Sequence, residues 1–253
     1  MFNSPWQKPF RGIPLNKTHP LAPDYSWIIN EVSGHTVYEH CEGIYYGTML
    51  AGVTRVAGEK GPAIDCPGGA NDETKLVHIP STLTVGWVYT IIVGLFLDAI
   101  TGDLIAPANS ADFSYLLSQD GTTLYHCAGG SYGSISHACA IGDVVFAMSR
   151  NGARAVKFYE NGQYVGTITL NGDGAFTVRS IIGRHDGVNP VDGRTFFVHI
   201  YKRQLSDAAI HLLSSQPYCM FRQPSRAKYF YVAEAPPEGI VPLIDHHYRQ
   251  MRS

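Results

Sequence analysis

Residues 153–168 read ARAVKFYENGQYVGTI. Asn161-Gly162 sits between two alternating runs. Both central positions of a type I′ turn need positive φ, and Asn-Gly adopts that conformation with little strain. The stretch therefore predicts a β-hairpin closed by a two-residue loop. Asn171-Gly172-Asp173-Gly174 marks the next turn.

The same pattern recurs outward from this hairpin. Candidate strands are Ser26–Ile29, Gly43–Leu50, Leu76–His78, Trp87–Leu97, Phe113–Leu117 and Thr123–Cys127, then Asp143–Ser149, Phe176–Ile182 and Thr195–Tyr201. Short strands with turn signals between them indicate a sandwich or barrel rather than βαβ units. In the last strand, alternation puts Phe196, Val198 and Ile200 on one face and Phe197, His199 and Tyr201 on the other. One helix stands out near 206–214. Ser206 is its N-cap, Asp207 lies in the first turn, and Leu205, Ile210 and Leu213 form an apolar stripe that ends before Pro217.

The chain has 253 residues, of which 45% are apolar and 16% charged, enough to bury a core without staples. Its 26 Gly, 15 Pro, 15 Tyr and 11 Phe favour strands and turns. The net charge of −2 creates no field for nucleic acid. Residues 1–23 carry +3 and residues 222–253 carry +2, leaving the middle at −7. An acidic body with basic ends suggests that the ends meet a different surface from the body.

Three segments are expected: an extended arm over 1–23 with five prolines, a sandwich over 24–221, and an irregular tail over 222–253. The five cysteines are odd in number and show no CxxC or short Cys/His ligand pattern, which suits thiols in a reducing cytosol. Cys127 and Cys139 are the pair that neighbouring strands could bring together. Met1–Phe10 is polar and Pro-interrupted, unlike a secretory signal. The longest apolar run, Val85–Ile100, contains Gly86, Gly94 and Asp98 and is too broken for a membrane span.

The stretch 181–221, IIGRHDGVNPVDGRTFFVHIYKRQLSDAAIHLLSSQPYCMF, resembles the closing segment of concanavalin A-like (laminin-G-like) domains, and Phe158–Gly166 resembles their preceding hairpin. Gly12–Ala22 and then Ile29-Asn30-Glu31 resemble the opening of phage and prophage proteins that carry such a domain, and Gly61–Asp65 through Val77–Pro80 resembles their first core strands. The helix departs from the pattern at Ala209, where an acidic residue is usual, and 222–253 has no counterpart. The resemblance implies an all-β, two-sheet antiparallel jelly-roll sandwich.

Sandwich glycosidases of this class resemble one another in a strand of alternating carboxylates, and retaining chemistry needs two carboxyls about 5–5.5 Å apart. Glu31, Glu39 and Glu42 do not alternate in this way. There is no Gly-x-Ser-x-Gly elbow, and Gly68-Gly69 and Gly129-Gly130 lack the Gly-Lys-Ser/Thr of a phosphate loop. His185-Asp186 reads as a turn, and His246-His247 lacks a third metal ligand. Laminin-G-like domains often carry rim calcium, for which Asp98, Asp103, Asp112 and Asn71-Asp72-Glu73 are candidate oxygen donors, none matching a ligand motif. Calcium is therefore the one cofactor considered, and no other cofactor is expected. Trp87, Tyr89, Tyr45 and Tyr46 are candidates for a sugar platform, with sheet packing as the ordinary alternative.

The expected role is a non-enzymatic virion structural protein, a capsid decoration or tail-associated module made in the host cytoplasm. It would dock on other virion subunits through Trp6, Phe10, Arg11, Tyr229, Phe230 and Tyr231. Shell symmetry makes a homotrimer plausible by analogy. The alternative is a carbohydrate-binding adhesion module contacting a host-surface glycan, and behind it a glycoside hydrolase of the same fold. Neither nucleic acid nor membrane is an expected partner.

Overall fold

A computed structural model describes residues 8–9, 14–58, 60–69, 72–99, 115–119 (backbone only), 123–183 and 191–221. The strands are β1 (Tyr25–Ile28), β2 (Thr36–Val37), β3 (Gly47–Met49), β4 (Thr54–Gly58), β5 (Gly61–Cys66), β6 (Val77–Gly86), β7 (Val88–Leu97) and β8 (Tyr115–Gln119). They continue as β9 (Thr123–Ala128), β10 (Ser131–Ser136), β11 (Gly142–Asn151), β12 (Ala155–Glu160), β13 (Gln163–Thr169), β14 (Phe176–Ile182) and β15 (Gly193–Tyr201). One helix follows, α1 (Asp207–Ser215).

Eight strands form one sheet in the order β13-β12-β11-β7-β15-β5-β4, with β1 also paired to β15. The order β14-β6-β3-β2 forms a second sheet and β10-β9-β8 a third. The described strand pairs are antiparallel, as expected for a sandwich.

The β12–β13 hairpin forms on Asn161-Gly162 as the sequence predicts. Glu160 pairs with Gln163, and φ is 51° at Asn161 and 78° at Gly162. Asn161 also ties the turn to the neighbouring strand. Its Oδ1 accepts from Val145 N at 2.9 Å, and its own N–H donates to Val145 O at 2.8 Å. The helix begins where Ser206 Oγ accepts from Ala209 N at 3.2 Å. Ile210 and Leu213 are buried beneath it.

The chain builds two apolar layers. The first lies between the sheets and gathers Trp27, Ile64, Val85, Ile91, Val93, Val144, Phe146, Phe158, Phe176 and Val198. The second gathers Ile92, Val145, Tyr159, Phe197 and Tyr201 with Leu15, Ala22, Ile210, Leu213 and Phe221. Strands β7, β11 and β15 contribute to both layers, so they are buried on both faces and read as continuous apolar runs. Burying each such side chain contributes about 1.5–3 kcal/mol. The alternation expected along the last strand breaks at one position. A register shift between Thr195 and Phe197 puts Phe196 in the second layer beside Phe197, while Val198 and Ile200 keep to the first.

Part of the N-terminal arm packs on the chain's own sandwich. Leu15 bridges Phe221, and Asn16 N donates to Met220 O at 3.0 Å. Lys8 Nζ donates to Ile29 O at 2.6 Å and to Pro62 O, and lies 5.2 Å from the centroid of the Phe196 ring. Burial lowers the Lys8 pKa to about 7.

Candidate functional site

Four connections converge at one end of the sandwich. They are the Gly86–Trp87 corner between β6 and β7, the β9–β10 turn at Gly129-Gly130, the β11–β12 turn at 152–154, and the β13–β14 loop at 170–175. Register places them together: Asn151 pairs with Val88, Ala155 with Thr169, and Phe176 with Gly86. Tyr132 N donates to Asn171 Oδ1, and Asn171 N donates to Tyr132 O, both at 2.9 Å. The approach is close enough that only glycine fits. A Cβ at Gly174 would lie 2.0 Å from Ala128 O.

Arg150 stitches this end together. It is fully buried, yet its Nε donates to Ala153 O and its Nη1 to Gly174 O, each at 2.6 Å. Its Nη2 has no hydrogen-bond partner and lies 3.9 Å from Asp173 Oδ1. The guanidinium carbon lies 5.8 Å from the Trp87 ring centroid, a cation–π approach that seats the indole over a buried charge. Trp87 remains 48% exposed. Beside it, Arg154 and Asp173 pair through Nε–Oδ1 at 3.3 Å and Nη2–Oδ2 at 3.2 Å, both half-exposed. That hydrogen bonding holds the Asp173 carboxyl below its ordinary range. Tyr132 is exposed on the same cluster of turns.

The result is a rim with exposed aromatic surface next to a fixed carboxylate–guanidinium pair. Aromatic faces stack on apolar C–H surfaces, and paired charged groups hydrogen-bond adjacent hydroxyls.

The sequence candidates for a sugar platform divide. Trp87 and Tyr46 are exposed, Tyr45 is half-buried edge-on to Tyr25, and Tyr89 is core. Arg150, Arg154, Asp173 and Tyr132 were not among them, since nothing local to each residue shows that their turns meet. The docking candidates Trp6, Phe10, Arg11, Tyr229, Phe230 and Tyr231 lie outside the described residues, as do Asn71, Asp103, Asp112, His185-Asp186 and His246-His247. Of the remaining calcium candidates, Asp72 caps its own turn, accepting from Thr74 N at 2.8 Å and Thr74 Oγ1 at 2.7 Å. Asp98 faces Arg194 Nη2 at 3.5 Å.

Of the acidic residues tested as glycosidase groups, Glu39 and Glu31 hold the fold, and Glu42 is exposed, 3.7 Å from Lys17 Nζ. Glu39 is buried and accepts four backbone N–H groups: Ser26 at 3.0 Å, Cys41 at 2.7 Å, Glu42 at 2.6 Å and Gly43 at 2.7 Å. Glu31 is buried against Arg55 at 3.3 Å. Ser26 Oγ and His199 Nδ1 lie 2.9 Å apart in full burial. His199 Nε2 faces the Pro217 carbonyl at 3.0 Å, an acceptor, so Nε2 carries the proton and Nδ1 accepts from Ser26. Burial lowers the His199 pKa to about 3 and keeps this tautomer neutral.

No family model matches the chain, and no curated protein matches it. Solved structures do. The binding domain of Paraclostridial Mosquitocidal Protein 1 matches with a TM-score of 0.54 at 12% identity, over 78% of this chain and 52% of that one. The chain has the β-sandwich fold of such domains. Domain 4 of AbnA, a GH43 extracellular arabinanase from Geobacillus stearothermophilus solved with arabinotriose, matches with a TM-score of 0.51 at 17% identity, over 64% and 81%. The Botulinum neurotoxin serotype G binding domain gives 0.51 at 10% identity, over 76% and 50%. The chain spans about half the length of the two toxin domains. At these identities the likeness is one of fold.

Proposed function

We propose that this protein is a non-enzymatic carbohydrate-binding module that engages oligosaccharide at the four-turn rim. The observation that carries the reading is the half-exposed Trp87 indole over Arg150, next to the Arg154–Asp173 pair. Stacking on Trp87 supplies apolar contact, and Asp173 with Arg154 fixes orientation through adjacent sugar hydroxyls. The fold is one that the arabinanase domain uses in a complex with arabinotriose. Glu31 and Glu39 are committed to Arg55 and to backbone N–H groups, so the reading assigns them no part in bond cleavage.

A glycan array probed with the intact chain, with and without calcium, tests this reading. Titration of the best oligosaccharide follows. Trp87→Ala and Arg154→Ala are each expected to weaken binding at least about tenfold in a chain that stays folded, a loss of ~1.4 kcal/mol. A blank array, or binding indifferent to both substitutions, overturns the reading. Released shorter products would overturn its non-enzymatic part.

The charge split and the phage-like opening favour a second reading, in which the module is carried on a virion and docks there through its termini. Trp6, Phe10, Arg11, Tyr229, Phe230 and Tyr231 are its proposed docking residues. Deleting 1–22 would also strip Leu15 and Ala22 from the second apolar layer. Paired Trp6→Ala and Phe10→Ala substitutions therefore make the cleaner test. Unchanged incorporation into particles removes the docking idea.

A further inference from the structure

His137, Cys139 and Glu160 gather at the end of the sandwich opposite the rim. Strand β10 runs from Ser131, beside the Asn171 loop, to Ser136, and β12 runs from Ala155 to Glu160. His137 and Cys139 follow β10 with one residue between them, a spacing that puts both side chains on one side of an extended chain. Glu160 ends β12, just before the Asn161-Gly162 turn. One ligand atom from each of the three residues lies within 4.8 Å of the other two. His137 Nε2 and Glu160 Oε2 are 2.5 Å apart. Cys139 is buried, and the other two are partly exposed. The His137 ring stands edge-on to Phe158 at 6.1 Å, which limits its rotation.

We propose that His137, Cys139 and Glu160 form a binding site for a zinc-like divalent transition ion. The donor set is imidazole nitrogen, thiolate sulfur and carboxylate oxygen, the set that tetrahedral zinc takes. Bond lengths near 2.0–2.3 Å place tetrahedral ligands about 3.3–3.6 Å apart. The Nε2–Oε2 contact must therefore open by about 0.8 Å, and the sulfur must move in by at most about 1.3 Å, within side-chain adjustment. Three protein ligands leave the fourth position to water. Binding takes the proton from the Cys139 thiol and releases it to solvent, so affinity falls as pH is lowered. The ion would pin the connection after β10 to the end of β12. This site is independent of the glycan reading, being built from different residues at the other end of the fold.

Cobalt(II) is the direct probe, because thiolate ligation produces a charge-transfer band in the near ultraviolet. The intact chain, stripped with chelator, is titrated with Co2+ and then with Zn2+. One Co2+ per chain, a thiolate band and its loss on adding equimolar Zn2+ are expected. Cys139→Ser should abolish the band, and Glu160→Gln should weaken Zn2+ binding at least about tenfold while Tm without metal stays that of a folded chain. Sub-stoichiometric binding, absence of the band in the unsubstituted chain, or a band that survives Cys139→Ser overturns the proposal. If Cys139→Ser does not fold, Glu160→Gln decides, and undiminished Zn2+ affinity there sinks the site.

Discussion

Arg150 Nη1 donates to the Gly174 carbonyl at 2.6 Å, and through that bond one fully buried cation joins the turn after β11 to the loop after β13. The same side chain caps Ala153 O and lies over Trp87. Replacing Arg150 with Met would leave two carbonyls without their charged donor. A cost of about 3 kcal/mol is expected, since a hydrogen bond to a charged group is worth about 1.5–3 kcal/mol. Urea unfolding measures it. Glycan affinity should also fall, because Trp87 loses its platform, whereas Trp87→Ala should weaken binding at a smaller cost in stability, limited to its packing and cation–π contact.

Gly94 faces Phe197 across β7 and β15, where a Cβ would sit 2.2 Å from Phe197 Cε1. The Phe197 ring stacks on His199 at 4.7 Å and meets Tyr218 at 5.6 Å, so it has little room to retreat. Gly94→Ala should destabilise by about 1–3 kcal/mol through overpacking. Adding Phe197→Leu should recover part of that loss in a double-mutant cycle. Additive losses would show that the ring is not the obstacle.

Gly162 carries φ of 78°, and a Cβ there would lie 2.9 Å from His211 Cα on the helix. Gly162→Ala combines backbone strain with a push on α1, for an expected cost of about 1–3 kcal/mol. Thermal unfolding checks the total. Ala in place of Gly69, whose added Cβ meets nothing within 4 Å at φ of 92°, measures the strain alone and should cost less.

Acid should loosen the fold through His199. Its folded pKa is lowered to about 3, whereas the unfolded value is near 6.5. The unfolded state therefore takes up a proton first as pH falls. The stability associated with the neutral ring is whole above pH ~6.5 and is lost progressively down to about pH 3. Between pH 7.5 and 5 the loss from His199 should be about 2 kcal/mol by urea unfolding. His40, also lowered by burial, adds in the same direction. His199→Gln, which keeps a donor for Pro217, should show a shallower pH dependence, and an unchanged slope would exclude His199 as the main source.

Some elements were legible because their causes are local. Asn161-Gly162 sets its own dihedrals, Ser206 caps the next turn of chain, and the runs at 88–97 and 143–149 carry enough apolar residues to be strands. The reading shortened β6, taking Leu76–His78 for a strand that continues to Gly86 through polar residues on an exposed face. It placed β5 only through the family resemblance of Gly61–Asp65, and it passed over the two-residue β2 as well as β4 and β10. The Gly, Pro, Ser and Asp content of β4, β5 and β10 resembles turns, and their pairing partners supply the stability.

The sequence by itself determined an antiparallel all-β chain with one capped helix, because alternation, turn dihedrals and capping act between residues a few positions apart. Tertiary structure decided which turns share an end. Trp87, Arg150 and Asp173 meet only when β6, β11 and β13 reach the same edge, and His137 meets Glu160 across 23 positions. Such meetings depend on strand order and register, and these are fixed by burial of both apolar layers at once.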